Sequence, residues 1–385
     1  MYNEKKEDRH MNNIYEELGV KEYINAYDTM TNYGGSRMSD ETLEAYKAAA
    51  CSFVDMRQLQ EKISCRIAEM TGNEAAYITT GASMGITLAV CACMAGKDQK
   101  KIDRLPNTEG LKDEVIVFKS QRNPYDKAIE VSGAKLVEIG GEEITTKEEL
   151  DAAIGEKTVC VYYIQATNHM SNLSIEDVVE VAHKKNVYVI VDAAAQLPPK
   201  ENLSRFTKMG ADIVAFSGGK AIHGPLNTGF IVGRKDLIEA CVLCGFPNRS
   251  VARGGKVSRE DMVALYVALK QYMAMSTAEY DAILRNRVDY IVEGLKDNDI
   301  LGVYVEEEGP VGQIYPRAAI TLKTDRFTIE EFAQALKDDE PGILMGIPLY
   351  KPYDCLYVNP LVMDDYELET VLKQLMKVSR NLNER

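Results

Sequence analysis

The sequence predicts an α/β fold, a mostly parallel sheet of seven short strands followed by a smaller α+β domain. Two observations carry this reading. Seven short apolar runs recur between residues 74 and 234, and helical patterns separate most of them. After Lys256 the alternation becomes less regular. Strands alternating with helices imply a doubly wound sheet covered on both faces, and such sheets gather ligands at the carboxyl ends of their strands.

Taken in order, Leu59, Ile63, Ile67 and Met70 recur at helical spacing, and Gly72 closes that helix. A strand follows at 74–80, then an apolar helix from Gly81 to about Ala95. Further strands are expected at 114–120, 134–140, 157–165, 187–193, 211–217 and 228–234. Ser174-Ile175-Glu176-Asp177 is a capping box that opens a helix running to about Lys185. Ser258 caps a long helical region to about residue 297, followed by strand-like GVYVEEE and RAAITLK, a helix near 328–337, GILMG, CLYVNP and a terminal helix from Asp364. This divides the chain into an N-terminal arm (1–40), a large domain (41–256) and a small C-terminal domain (257–385).

The bulk numbers narrow the function. The chain has 385 residues, 45% hydrophobic, enough for a substantial core. A formal charge of −14 repels phosphate backbones, so nucleic acid is not an expected partner. No apolar run approaches the roughly 20 residues of a membrane span, and the polar start MYNEKKEDRHMNN is not a secretory signal. Eight cysteines lie scattered, mostly in apolar stretches, which fits a reducing cytoplasm. Cys241 and Cys244 form a CxxC with no second pair and no histidine at zinc spacing, so no metal is expected.

Three strand ends carry the chemistry. At Thr79-Thr80-Gly81-Ala82-Ser83 a strand turns into a helix through small residues, leaving backbone N–H groups for an anion. Alone, this is equally a tightly packed turn. At Asp192 a carboxylate ends the apolar strand VYVIV and precedes three alanines. It caps a helix or faces a cation, because burying it unpartnered is costly. At Ser217-Gly218-Gly219-Lys220 a strand ends on a hydroxyl, two glycines and a lone lysine. A phosphate site, an acid and a lysine at strand ends are what pyridoxal phosphate requires. The lysine bonds the cofactor, the acid keeps its ring nitrogen protonated, and the helix end holds its phosphate.

SGGKAIHGPLNTGFIVGRKDLI (217–238) and VIVDAAA (189–195) resemble fold-type I pyridoxal-phosphate enzymes, in the branch that contains selenocysteine synthase and D-glucosaminate-6-phosphate ammonia-lyase. LGVKEYINAYDTMTNYGG (18–35) and ARGGKVSREDMVAL (252–265) are similar to that branch as well. The resemblance implies a Schiff-base lysine at Lys220 and a pyridinium partner at Asp192. It implies cofactor contacts from Gly81, Ala82, Ser83 and Ser217, and from Asn168 to the ring or its 3′-oxygen. Arg317 opens a small-domain strand, where such enzymes often bind a substrate carboxylate; Arg249, Arg253 and Lys256 are further candidates for substrate. His169 and His223 stand open between packed loop histidines and acid–base groups. The implied activity is a lyase on a 2-amino-3-hydroxy acid, such as a phosphorylated amino-sugar acid. A β-lyase, a desulfurase using Cys244, an aminotransferase and a non-catalytic binder are the alternatives. A homodimer or larger assembly is expected, with Arg57 contributing to the neighbour's site.

Overall fold

The computed structural model describes residues 14–166, 173–309, 311–347 and 354–384. Its chain divides into two compact units, one of residues 36–275 with 311–313, the other built from the remaining N-terminal and C-terminal segments.

The N-terminal piece of the second unit carries α1 (Ile14–Glu17) and β1 (Tyr23–Ala26). The first unit then runs through α2 (Asp40–Ala50), α3 (Met56–Thr71), β2 (Ala75–Thr79), α4 (Gly81–Ala95), α5 (Gln99–Arg104), β3 (Glu114–Phe118), α6 (Lys127–Glu130), β4 (Lys135–Ile139), α7 (Lys147–Ala153) and β5 (Thr158–Ile164). It continues with α8 (Ile175–Lys184), β6 (Tyr188–Asp192), α9 (Asn202–Lys208), β7 (Ile213–Ser217), β8 (Gly229–Gly233), α10 (Lys235–Cys244) and α11 (Arg259–Ala274). The chain returns to the second unit with α12 (Thr277–Leu295), β9 (Leu301–Glu306), β10 (Arg317–Leu322), α13 (Ile329–Asp338), β11 (Gly342–Met345), β12 (Leu356–Val358) and α14 (Asp365–Asn383).

The first unit holds a seven-stranded sheet in the order β2-β8-β7-β6-β5-β3-β4. Only β8 runs against its neighbours; β7, β6, β5, β3 and β4 are mutually parallel. All seven expected strands are present, each within two residues of its expected ends. One face is covered by α4, which is apolar all round and buried along most of its length, as expected of a helix with no solvent face. Gly85 lets α4 sit close to the sheet: a Cβ there would lie 2.7 Å from Ile231 Cγ2.

Helix ends follow local chemistry. Gly72 closes α3 in the left-handed region at φ 68, and Ser174 and Asp177 form the reciprocal box of α8. The long helical region after Ser258 is two helices. Met275 ends the first in an extended conformation, and Ser276 opens the second, its hydroxyl accepting from the Glu279 N–H while the Glu279 carboxylate accepts from the Ser276 N–H.

The expected boundaries also move. The first unit extends to Met275 rather than 256, because α11 packs against α2 and α3. The N-terminal arm packs into the second unit: β1 pairs in parallel with β11, Tyr23 opposite Gly342 through Ala26 opposite Met345. The second unit also has a three-stranded antiparallel sheet, β12-β10-β9, whose core includes Ile24, Leu295, Ile320, Phe332 and Leu375.

Candidate active site

Strand alternation sets which side chains meet. Tyr162, Ile190, Ala215 and Ile231 share one buried cluster with α4. By the two-residue period, Asp192, Ser217 and Gly229 lie on that same face at one end of the sheet. This is the carboxyl end of β5, β6 and β7, and the entry of antiparallel β8. The turn from Thr79 into α4 sits beside it: a Cβ on Gly229 would fall 2.6 Å from the Ala82 nitrogen. Thr80, the cap position of α4, makes no side-chain cap. Its hydroxyl instead donates to the Lys256 carbonyl at 3.0 Å, so the first N–H groups of the helix remain available to an anion.

Asp192 is half-buried, and both carboxylate oxygens are engaged. Oδ2 accepts from the Tyr162 hydroxyl at 2.9 Å, and Oδ1 accepts from the Ala194 N–H at 2.9 Å. The sequence did not single out Tyr162. Its signal was its place two residues before the end of β5, in phase with the face of Asp192.

Lys220 follows β7 in a tight loop closed by Gly218 N–H to Thr228 O (2.8 Å), Gly224 N–H to Gly218 O (2.9 Å) and His223 N–H to Lys220 O (2.9 Å). The two glycines before the lysine serve close approach. A Cβ on Gly218 would stand 2.3 Å from Thr228 Oγ1, and one on Gly219 2.6 Å from Leu226 Cα. A strap crosses this loop, with Ser36 N–H donating to Gly219 O at 3.0 Å and His223 Nδ1 lying 3.1 Å from Arg37 O. His223 holds φ 59, a left-handed conformation that its place in the loop imposes. The histidine is thus a loop-former held to the strap.

The arrangement fits pyridoxal phosphate. An uncapped helix end stands against a strand entry too close for any side chain, a carboxylate is held by two donors, and a lysine emerges from a loop at the same sheet end. Gly81, Ala82, Ser83 and Ser217 are placed where they could take the phosphate, Asp192 where it could meet the ring nitrogen, and Lys220 where it could form the covalent link.

The substrate candidates divide. Lys256 is brought to the α4 entry by its backbone, and Gly255 beside it packs against Met84. Arg253 is exposed, its guanidinium 5.5 Å from the Phe246 ring centroid. Arg249 is exposed and has no ion pair among the described residues. Arg57 donates to Asn248 Oδ1 at 2.8 Å. Arg317, in the second unit, is buried; it donates to the Tyr315 hydroxyl at 2.9 Å and lies 3.5 Å from Asp28 Oδ2. Asn168 and His169 lie outside the described residues. Cys244 is buried, and burial pushes its thiol up to about 12, so it offers no thiolate for desulfuration.

Comparison with known proteins agrees. Residues 79–345 match the class-V aminotransferase family. The D-glucosaminate-6-phosphate ammonia lyase of Salmonella typhimurium is 37% identical over 266 residues, 68% of this chain and 70% of that protein. A Streptomyces 5′-C-glycyluridine monooxygenase-decarboxylase is 33% identical over 269 residues, 68% of this chain and 65% of that protein. A solved structure of D-glucosaminate-6-phosphate ammonia-lyase superposes with a TM-score of 0.82 at 30% identity, covering 97% of this chain and 100% of that one.

Proposed function

The chain belongs to the class-V aminotransferase family, and on that premise we propose that it is a pyridoxal-phosphate-dependent ammonia-lyase acting on a 2-amino-3-hydroxy acid of the phosphorylated amino-sugar type. The observation that carries this reading is the gathering of Asp192, Ser217, Gly229 and the open end of α4 at one sheet end, with Lys220 three residues beyond β7. The 37% identity to an enzyme of that name supports the substrate class.

Bound pyridoxal phosphate supplies an electron-accepting ring that spreads negative charge from the carbon bearing the amine. The chain's own residues do the rest. The N–H groups of Ala82 and Ser83, with Ser217, bind and orient the phosphate. Asp192 holds a proton at the ring nitrogen. The Lys220 amine takes the proton from the substrate's α-carbon, and the β-hydroxyl leaves as water. Water then replaces the amine, giving a 2-keto-3-deoxy acid and one ammonia per substrate. Arg317, Arg249, Arg253 and Lys256 are the proposed binders of carboxylate and phosphate.

The enzyme acts, in this proposal, in the cytoplasm and as a homodimer or larger assembly. No described helix is long and apolar enough to cross a membrane. Phe53, 98% exposed, offers an aromatic face for a second copy.

The test is incubation of purified holoenzyme with D-glucosaminate 6-phosphate, measuring ammonia and keto acid together. Equal release of both supports the proposal. Carbon dioxide release coupled to oxygen uptake instead would favour chemistry like that named for the Streptomyces relative.

A further inference from the structure

The tie between Tyr162 and Asp192 has a use beyond packing. Tyr162 is 2% exposed, standing among Ile190, Ala215 and the residues of α4. A tyrosine buried that deeply must spend its proton on a partner, and its partner is Asp192 Oδ2 at 2.9 Å. Burial first, and the charge of Asp192 second, push the Tyr162 phenol well above its ordinary range, so it remains a donor throughout the working pH range. The backbone of Asp192 is fixed independently: Gln165 N–H donates to its carbonyl at 3.0 Å, and the next residue's N–H donates to Ala215 O at 3.0 Å. The phenol is therefore not needed to keep β6 in place. What it governs is the carboxylate.

We propose that Tyr162 is a positioning residue for Asp192, a fixed donor to the carboxylate that makes the proton it shares with the cofactor rest on the ring nitrogen. This rests on the cofactor reading above. The reason is elementary: a hydrogen bond donated to the charged form of an acid favours that form. With the Tyr162 hydroxyl on Oδ2 and the Ala194 N–H on Oδ1, moving the proton onto Asp192 would weaken both bonds. Removal of the phenol leaves one donor, and the shared proton shifts toward the carboxyl oxygen.

The experiment is Tyr162→Phe, which keeps the ring and deletes one oxygen from an otherwise apolar setting. Wild type and variant are loaded with pyridoxal phosphate labelled with ¹⁵N in its ring, and the nitrogen resonance is read directly. In wild type the resonance should sit at the protonated position. In the variant it should move toward the neutral position, with kcat falling about ten- to hundredfold at nearly unchanged KM, the range spanned by losing a hydrogen bond to a charged group. An unmoved resonance in the variant overturns the proposal, whatever happens to kcat or to the melting temperature, because a tyrosine that only fills space leaves the proton alone. A wild-type protein that binds no cofactor overturns the cofactor reading and this inference with it; a wild type that binds cofactor with a neutral ring nitrogen overturns only the assigned part of Asp192 and Tyr162.

Discussion

Gly229 and Gly81 meet with no room for a side chain between them: a Cβ on Gly229 would stand 2.5 Å from the Gly81 carbonyl carbon. Strand entry and helix entry are thereby fixed to each other, and the helix N–H groups are aimed across the end of the sheet. Gly229→Val must push the first turn of α4 aside, an overpacking cost of about 1–3 kcal/mol. The expected outcome is a folded protein whose affinity for pyridoxal phosphate, measured by titrating the apoprotein, is at least about tenfold weaker. Affinity equal to wild type would remove the α4 entry from the phosphate site.

Lys220 should be the covalent anchor. Treating the holoenzyme with borohydride and mapping its peptides should place the cofactor on Lys220 and on no other lysine. Lys220→Ala should lose on the order of 100-fold or more in turnover, the scale of a lost acid–base group.

Asp192→Asn separates binding from chemistry. The amide keeps the shape of the carboxylate but cannot hold a proton on the ring nitrogen. Cofactor content, read by absorbance, should remain near wild type while kcat falls by about 100-fold or more. A variant as active as wild type would release Asp192 from its assigned part.

Acid sensitivity should appear on the outer surface. The Glu180 carboxyl is lowered from 4.5 to about 2, first by the Lys184 ammonium and then by Lys147, which also pairs with Asp177 at 2.6 Å. A depressed carboxyl stabilises the fold above its unfolded value and loses that contribution as pH falls from 4.5 toward 2. Lys147→Gln should therefore lower the urea midpoint slightly at about pH 6, with the difference from wild type shrinking at about pH 3. A difference that does not depend on pH would mean that the lysine acts through its aliphatic stem.

The strands, their order of appearance and three of the proposed anchors were legible because each rests on local sequence. Asp192, Ser217 and Lys220 each stand at or just after the end of an apolar run, where a reader expects function. Tyr162 was hidden because its contact depends on the register between β5 and β6, which no short stretch reveals. The sequence did not say why two glycines precede Lys220; side chains there would run into Thr228 and Leu226 of the same loop. The domain boundary was placed nineteen residues early, because the composition changes at Lys256 while the packing continues through α11 onto α2 and α3. Composition reports what a segment is made of; only contacts report where it belongs.

The pairing of β1 with β11 sets an order on biosynthesis. The seven-stranded sheet lies within one continuous stretch, and its strands can associate as they emerge. The strand Tyr23–Ala26 leaves the ribosome before all of them, yet its partner Gly342–Met345 is translated more than three hundred residues later. At about 5–20 residues per second that interval is on the order of 15–60 s. During that time a strand edge carrying Ile24 lacks its native β11 neighbour, the kind of open edge that is prone to pair wrongly.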